Sequence, residues 1–215
     1  VTRNQQILIA VVLGGVLYFV LTRRSQAAPG NGLPGGQDFP AEERKLPAAI
    51  SDRVMGRSGF IFRYGAEYAI DPALIASMIT VESAGRANAF GAAGEIGLMQ
   101  IIPSTGKWIA GVTEEQLWTP EINISTGTKY LRYCITRKGG NVAAGIAGYN
   151  YGPDRVQIAG GRVVAPEHVL RYARDCLEFV SLYQRLFREQ LGTFYQNAFP
   201  TGRLSGLACG QCSRR

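Results

Sequence analysis

The chain has 215 residues, 46% of them hydrophobic and only 18% charged, which admits one compact domain with extensions and excludes wholesale disorder. A formal net charge of +7 suits an anionic polymer such as nucleic acid, anionic lipid or wall glycan, and equally serves plain solubility. No lysine/arginine block or aromatic–basic module supports nucleic acid, so that class is set aside.

In chain order, residues 1–24 read as an N-terminal transmembrane anchor. No charge occurs from Asn4 to Thr22, and Ile7 to Leu21 reads ILIAVVLGGVLYFVL, a run that its flanks extend toward the roughly 20 helical residues a bilayer core requires. A cleaved signal peptide is the rival, since Ser25-Gln26-Ala27 resembles a small-x-small cleavage site; Arg23 and Arg24 directly after the apolar run argue against cleavage. Both flanks are basic, so counting arginines fixes no orientation. Residues 25–47 are rich in Gly and Pro without apolar periodicity and read as a linker. A flexible chain of that length has a root-mean-square span of roughly 25–30 Å.

Residues 48–191 read as helical. Asp71-Pro72 is a start signal, Asp as cap and Pro at the first helical position, and Leu74, Ile75, Met78 and Ile79 then share one face. A helix over Glu121–Lys138 ends at Gly139-Gly140, and a short small-residue helix covers Asn141–Tyr149. The spacing of Val169, Ala173, Cys176, Val180, Tyr183 and Phe187 predicts one long helix over Pro166–Glu189. The only strand signal is a short hairpin over Gln157–Val164 around Gly160-Gly161. The expected fold is therefore all-α with that hairpin as an option, followed by a Cys-containing tail over residues 192–215.

Four cysteines are present: Cys134, Cys176, Cys209 and Cys212. The Cys209–Cys212 pair reads as a local disulfide or two free thiols rather than a metal site, because the only histidine, His168, is distant in sequence. Cys134 and Cys176 fall on apolar helix faces, as buried thiols or a helix-to-helix disulfide.

A lone histidine at a helix start disfavours a Ser-His-acid triad, and no P-loop or dinucleotide fingerprint occurs, so no cofactor and no metal are expected. Carboxylate chemistry remains. Glu82 continues the face 74, 75, 78, 79 at the last turn of its helix. There the negative end of the helix dipole and apolar neighbours both raise a carboxyl pKa, as a general acid near neutral pH requires. The plainer alternative is a frayed end with Glu82 turned to water. Ser83 follows and can hydrogen-bond locally. Eighteen residues after Glu82, Gln100 interrupts an apolar segment beside Met99, and a buried amide needs a partner or a ligand. Tyr149, Asn150 and Tyr151 put two aromatics and an amide in a glycine-flanked turn, a combination suited to stacking on sugar rings and bonding their polar groups.

Together, Glu82-Ser83, Gly97-Leu98-Met99-Gln100 and Tyr149-Asn150-x-Gly152-Pro153 resemble the soluble-lytic-transglycosylase-type catalytic domain of the goose-type-lysozyme-like fold. Pro103-Ser104-Thr105 and Asn123…Gly127…Tyr130-Leu131 add to the likeness, which runs from about Ala66 to Tyr183. The resemblance implies a lysozyme-like α domain that breaks the β-1,4 bond between N-acetylmuramic acid and N-acetylglucosamine in peptidoglycan. It implies Glu82 as acid/base, with Ser83, Met99, Gln100, Tyr149 and Asn150 as substrate-binding residues. Two departures stand out: Gly91 replaces a serine that some members place nine residues after the glutamate, and Gly148 and Tyr151 replace alanines.

Only one carboxylate is a strong candidate, whereas an ordinary glycosidase uses two. Glu95 is the nearest second one in sequence, and reads more simply as a surface loop charge. One acid suffices if the substrate's acetamido group attacks and its 6-hydroxyl closes a 1,6-anhydro ring. A lysozyme-like hydrolase and an idle glycan-binding module are the alternatives. The expected partners are peptidoglycan strands, a membrane through the N-terminal segment, and a secretion, conjugation or phage-entry machine. The expected location is membrane-anchored, with the catalytic domain facing peptidoglycan.

Overall fold

A computed structural model describes residues 6–13, 16–23, 46–192 and 195 of the chain. The linker and the Cys209–Cys212 tail lie outside the described residues. Among the described residues the domain has nine helices: α1 (Ala48–Met55), α2 (Ser58–Tyr68), α3 (Pro72–Ser83), α4 (Pro103–Ala110), α5 (Glu114–Leu117), α6 (Pro120–Arg137), α7 (Val142–Tyr151), α8 (Glu167–Glu178) and α9 (Val180–Leu191). The predicted hairpin is present as strands β3 (Gln157–Ala159) and β4 (Arg162–Val164), paired antiparallel with Gln157 opposite Val164. Gly160 and Gly161, at φ 57° and 74°, supply the two left-handed residues that a tight two-residue turn demands.

The N-terminal segment corrects the sequence reading. Gln6–Leu13 (β1) and Val16–Arg23 (β2) pair as antiparallel strands, with Leu13 opposite Val16, where a membrane-spanning helix was expected. No helix among the described residues is long and apolar enough to cross a membrane. The run is rich in Val, Ile, Tyr and Phe, which favour strands, and Gly14-Gly15 divides it at the spacing of a two-residue hairpin connection. Length and apolarity alone do not separate the two conformations.

Helix α3 is the centre of the domain. It touches α1, α2, α8 and α9, and every residue from Pro72 to Thr80 is buried, as is Ser83. The expected single apolar face is thus an underestimate: this helix is enclosed all round, and only Val81 and Glu82 keep partial exposure at its end. Its start is fixed by Asp71, which accepts from the Ala73 N–H at 2.8 Å. The same carboxyl accepts from Tyr195 Oη at 2.9 Å and Gln184 Nε2 at 3.1 Å, joining the N-terminus of α3 to the far end of the chain. Along its length Thr80 Oγ1 and Tyr183 Oη lie 2.6 Å apart, a buried bond to α9. Phe62, Phe187 and Tyr195 complete the packing on that side, with the Phe62 and Phe187 ring centres 4.7 Å apart.

The predicted long helix over 166–189 is instead two helices that meet at Phe179. Ser77 Oγ donates to the Cys176 carbonyl. That carbonyl is the acceptor an unbroken helix would offer to the Val180 N–H, and side-chain intrusion of this kind is a recognised cause of helix breaks. Elsewhere the reading holds. α6 ends before Gly139 and Gly140, both at positive φ, and Asn141 caps α7 by accepting from the Ala144 N–H at 2.8 Å. α7 needs its small residues, because a β-carbon on Gly145 would collide with Ile135 of α6. Cys134 and Cys176 are buried free thiols, not a disulfide.

Replacing Asp71 by Ala removes a helix cap and leaves two buried donors without their acceptor. A loss of about 2–3 kcal/mol is expected, measurable by urea unfolding; an unchanged midpoint would show that the cap carries no weight.

Candidate functional site

Glu82 stands where α3 leaves the core. The helix closes on Ala84, which adopts the left-handed conformation at φ 52°; the Ala84 N–H bonds the Thr80 carbonyl at 3.0 Å. Arg53 Nε of α1 donates to the Ala84 carbonyl at 3.0 Å, and Gly85 passes so close to Arg53 that a β-carbon there would lie 2.9 Å from the arginine's own. The helix end is therefore clamped, and Glu82 is not frayed.

The Glu82 carboxyl accepts from the Tyr172 hydroxyl of α8. Burial is the main cause that lifts its pKa from 4.5 to about 7; the Tyr172 bond pulls it down, and the nearby charge of Glu95 pushes it up. Partial exposure of the residue leaves the carboxyl within reach of a ligand. A proton held near neutrality is what a general acid requires. The sequence marks Tyr172 only by its place three residues after Val169 and four before Cys176, on the apolar stripe of α8.

The wall beside Glu82 is the segment Ile96–Gln100. Ile96 pairs with Phe90 on one side and with Ile101 on the other. Asn123 of α6 holds this segment through two bonds and ties it to α5 through a third: Oδ1 accepts from the Met99 N–H, and Nδ2 donates to the Ile96 and Leu117 carbonyls, each at 2.8 Å. Close approach requires two glycines. A β-carbon on Gly97 would lie 2.5 Å from Asn123 Nδ2, and one on Gly127 would lie 2.5 Å from Met99 Sδ.

The predicted site residues therefore separate by role. Ser83 is buried, with its hydroxyl donated to the Ile79 and Leu98 carbonyls at 3.1 and 2.9 Å, so it ties the end of α3 to the wall. Met99 is fully buried and packs on Gly127 rather than presenting its side chain to a groove. Tyr149 is also buried, its hydroxyl donating to the Met99 carbonyl at 2.8 Å. Gln100 is partly exposed at φ 46°, an unusual value for a non-glycine residue. Its Nε2 donates to the Gly97 and Ala89 carbonyls at 2.9 and 3.3 Å, which fixes the amide with Oε1 turned away from both. Asn150 is exposed at the end of α7. Tyr151 stacks under Arg155 and meets the edge of His168, which is exposed in the first turn of α8 as expected.

Two outcomes follow from this geometry. The folded Glu82 carboxyl holds its proton more tightly than the unfolded one, so its contribution is fully present below pH 4.5 and is lost as pH rises through about 7. Thermal unfolding of Glu82→Gln should match wild type near pH 4 and gain ~1–3 kcal/mol at pH 8; a gain independent of pH would refute the shift. Asn123→Ala should cost about 2–4 kcal/mol by taking their side-chain partner from the Met99 N–H and the Leu117 carbonyl and one of two donors from the Ile96 carbonyl, read from chemical denaturation.

Residues 59–168 match the Transglycosylase SLT domain. The fold is similar to lytic transglycosylase Slt of Pseudomonas aeruginosa, solved as an inactive Glu-to-Gln mutant: TM-score 0.57, 22% identity, over 62% of this chain and 25% of that one. It is likewise similar to the 70 kDa soluble lytic transglycosylase of Escherichia coli, at TM-score 0.55 and 26% identity, over 62% of this chain and 24% of that one. The common part thus spans about a quarter of those longer chains. With its family match covering more than half of its length, the chain belongs to the transglycosylase SLT domain family, a family of lytic transglycosylase enzymes.

Proposed function

We propose that this protein cleaves the β-1,4 bond between N-acetylmuramic acid and N-acetylglucosamine in peptidoglycan, with formation of a 1,6-anhydro ring. The observation that carries the reading is Glu82: a carboxyl with its pKa raised to about 7, clamped at a helix end, and bonded to one phenol. Protonated Glu82 donates to the leaving glycosidic oxygen while the muramic acetamido carbonyl attacks the anomeric carbon. The resulting carboxylate then takes the proton of the sugar's own 6-hydroxyl, whose oxygen displaces the acetamido oxygen and closes the ring. No water enters, and Glu82 ends protonated as it began. Tyr172 steadies the ionised state between the two steps, since its hydroxyl donates to the charged form. Asn150, exposed at the rim, is available to orient the acetamido group.

A lysozyme-like hydrolysis is the second reading, and one observation favours it: Glu95 is close enough for its charge to raise the Glu82 pKa, so a second carboxylate stands near the acid. A peptidoglycan substrate argues for a domain outside the cytoplasm, facing the wall, and the uncharged run from Asn4 to Thr22 supports attachment at a membrane. Local wall opening for an envelope-spanning or phage-entry machine fits such a tethered enzyme.

Mass spectrometry of purified sacculi digested with the protein decides between the readings. Anhydro-muramyl ends are expected; ordinary reducing ends would establish the hydrolase, and no release at all with retained binding would establish a glycan-binding module. Glu82→Gln should lower turnover by roughly a hundredfold to ten-thousandfold. The rate should fall as pH rises above about 7, where Glu82 loses its proton. Tyr172→Phe removes the bond that favours ionisation, so that limb of the profile should move to higher pH; a shift to lower pH would contradict the assigned role.

A further inference from the structure

Gly91 lies in the loop between α3 and the wall segment, and the space above it is filled in an unusual way. A β-carbon built on Gly91 would overlap Glu95 Oε2 and lie 2.8 Å from Gln100 Oε1. The missing side chain at 91 is what admits the Glu95 carboxyl into the site. Two acceptor oxygens thus converge on one point. The Gln100 amide cannot turn its nitrogen toward that point without giving up both the Gly97 and the Ala89 carbonyls. Glu95 Oε2 accepts from the Ala93 N–H at 2.9 Å, which holds the carboxyl in place and leaves its acceptor capacity in excess. Both residues keep partial exposure, so the pair is not sealed in the core.

We propose that Glu95 is a substrate-binding residue of this protein: with Gln100 Oε1 it forms an acceptor pair over Gly91 that takes a hydrogen-bond donor, an amide N–H or a hydroxyl, from the glycan lying against Glu82. Its position beside the acid is supported independently by the upward push its charge exerts on the Glu82 pKa. The same carboxyl thereby reads the sugar and keeps the acid protonated. This assignment rests on the glycan-cleaving reading for the identity of the ligand.

The test is binding of a soluble N-acetylglucosamine–N-acetylmuramic acid tetrasaccharide to the full chain carrying Glu82→Gln, followed by calorimetry. In that background Glu95→Ala should weaken binding ~tenfold, the value of one charge-assisted hydrogen bond. Glu95→Gln, which keeps an acceptor oxygen, should stay within about threefold of the parent. Gly91→Ala retains the carboxyl but evicts it, and should weaken binding as much as Glu95→Ala. Because both changes empty one position, the double variant should be no weaker than either single one. Unchanged affinity of Glu95→Ala, or multiplying effects of the two substitutions, would overturn the proposal. If Glu95→Ala unfolds, Gly91→Ala alone decides. Binding is measured without turnover, so hydrolytic products from the wild-type enzyme would refute the anhydro mechanism and leave this result standing.

Discussion

Helix α3 has no polar face, and the rest of the domain follows from that. A helix enclosed from Pro72 to Thr80 has to be covered on every side, and α1, α2, α8 and α9 supply the cover. Each of its two ends carries a carboxyl set into this core. At the start, Asp71 is bonded by a backbone amide, an amide side chain and a phenol. At the end, Glu82 has one phenol and remains within reach of a ligand. The fully satisfied acid fastens the helix; the sparsely satisfied one is left with a proton to exchange. Burial raises the pKa of both, and the difference in partners separates structure from chemistry.

The groove wall obeys a different logic. It is irregular backbone, which must find hydrogen bonds outside any helix or sheet ladder. Asn123 supplies two of them, Tyr149 a third and Ser83 a fourth. Ser83 and Tyr149, which resemble substrate ligands in the linear sequence, are thus buried supports of this wall. With Asn123 they position Gln100 and the loop that bears Glu95, and both of those residues keep partial exposure.

Much of this was legible beforehand where a local signal exists. Asp71-Pro72 and the paired glycines at 139–140 and 160–161 each specify backbone geometry by themselves, and each appears where its chemistry predicts. Glu82 was legible because a charge on an apolar helix end is a conflict that asks for an explanation. What escaped depends on distance in space. Tyr172 reaches Glu82 across 90 positions, and the break at Phe179 accompanies a serine 99 positions before the carbonyl it engages. Glu95 looked like a surface charge because nothing in its neighbours shows that the missing side chain of Gly91 opens a space for it. The N-terminal run departs from the expected helix for a different reason: apolar content does not separate helix from strand, and Val, Ile and aromatic residues also satisfy the antiparallel pairing of β1 and β2.

The two buried thiols bear on the surroundings such a domain tolerates. Burial holds the Cys134 thiol at a pKa of about 12 and raises that of Cys176 as well, so neither supplies the thiolate that oxidants attack. The helical core is closed by packing, and neither of these cysteines is committed to a cross-link. Once folded, the core is consequently insensitive, at these two sulfurs, to the redox potential around it and keeps the same packing in a reducing or an oxidising surrounding.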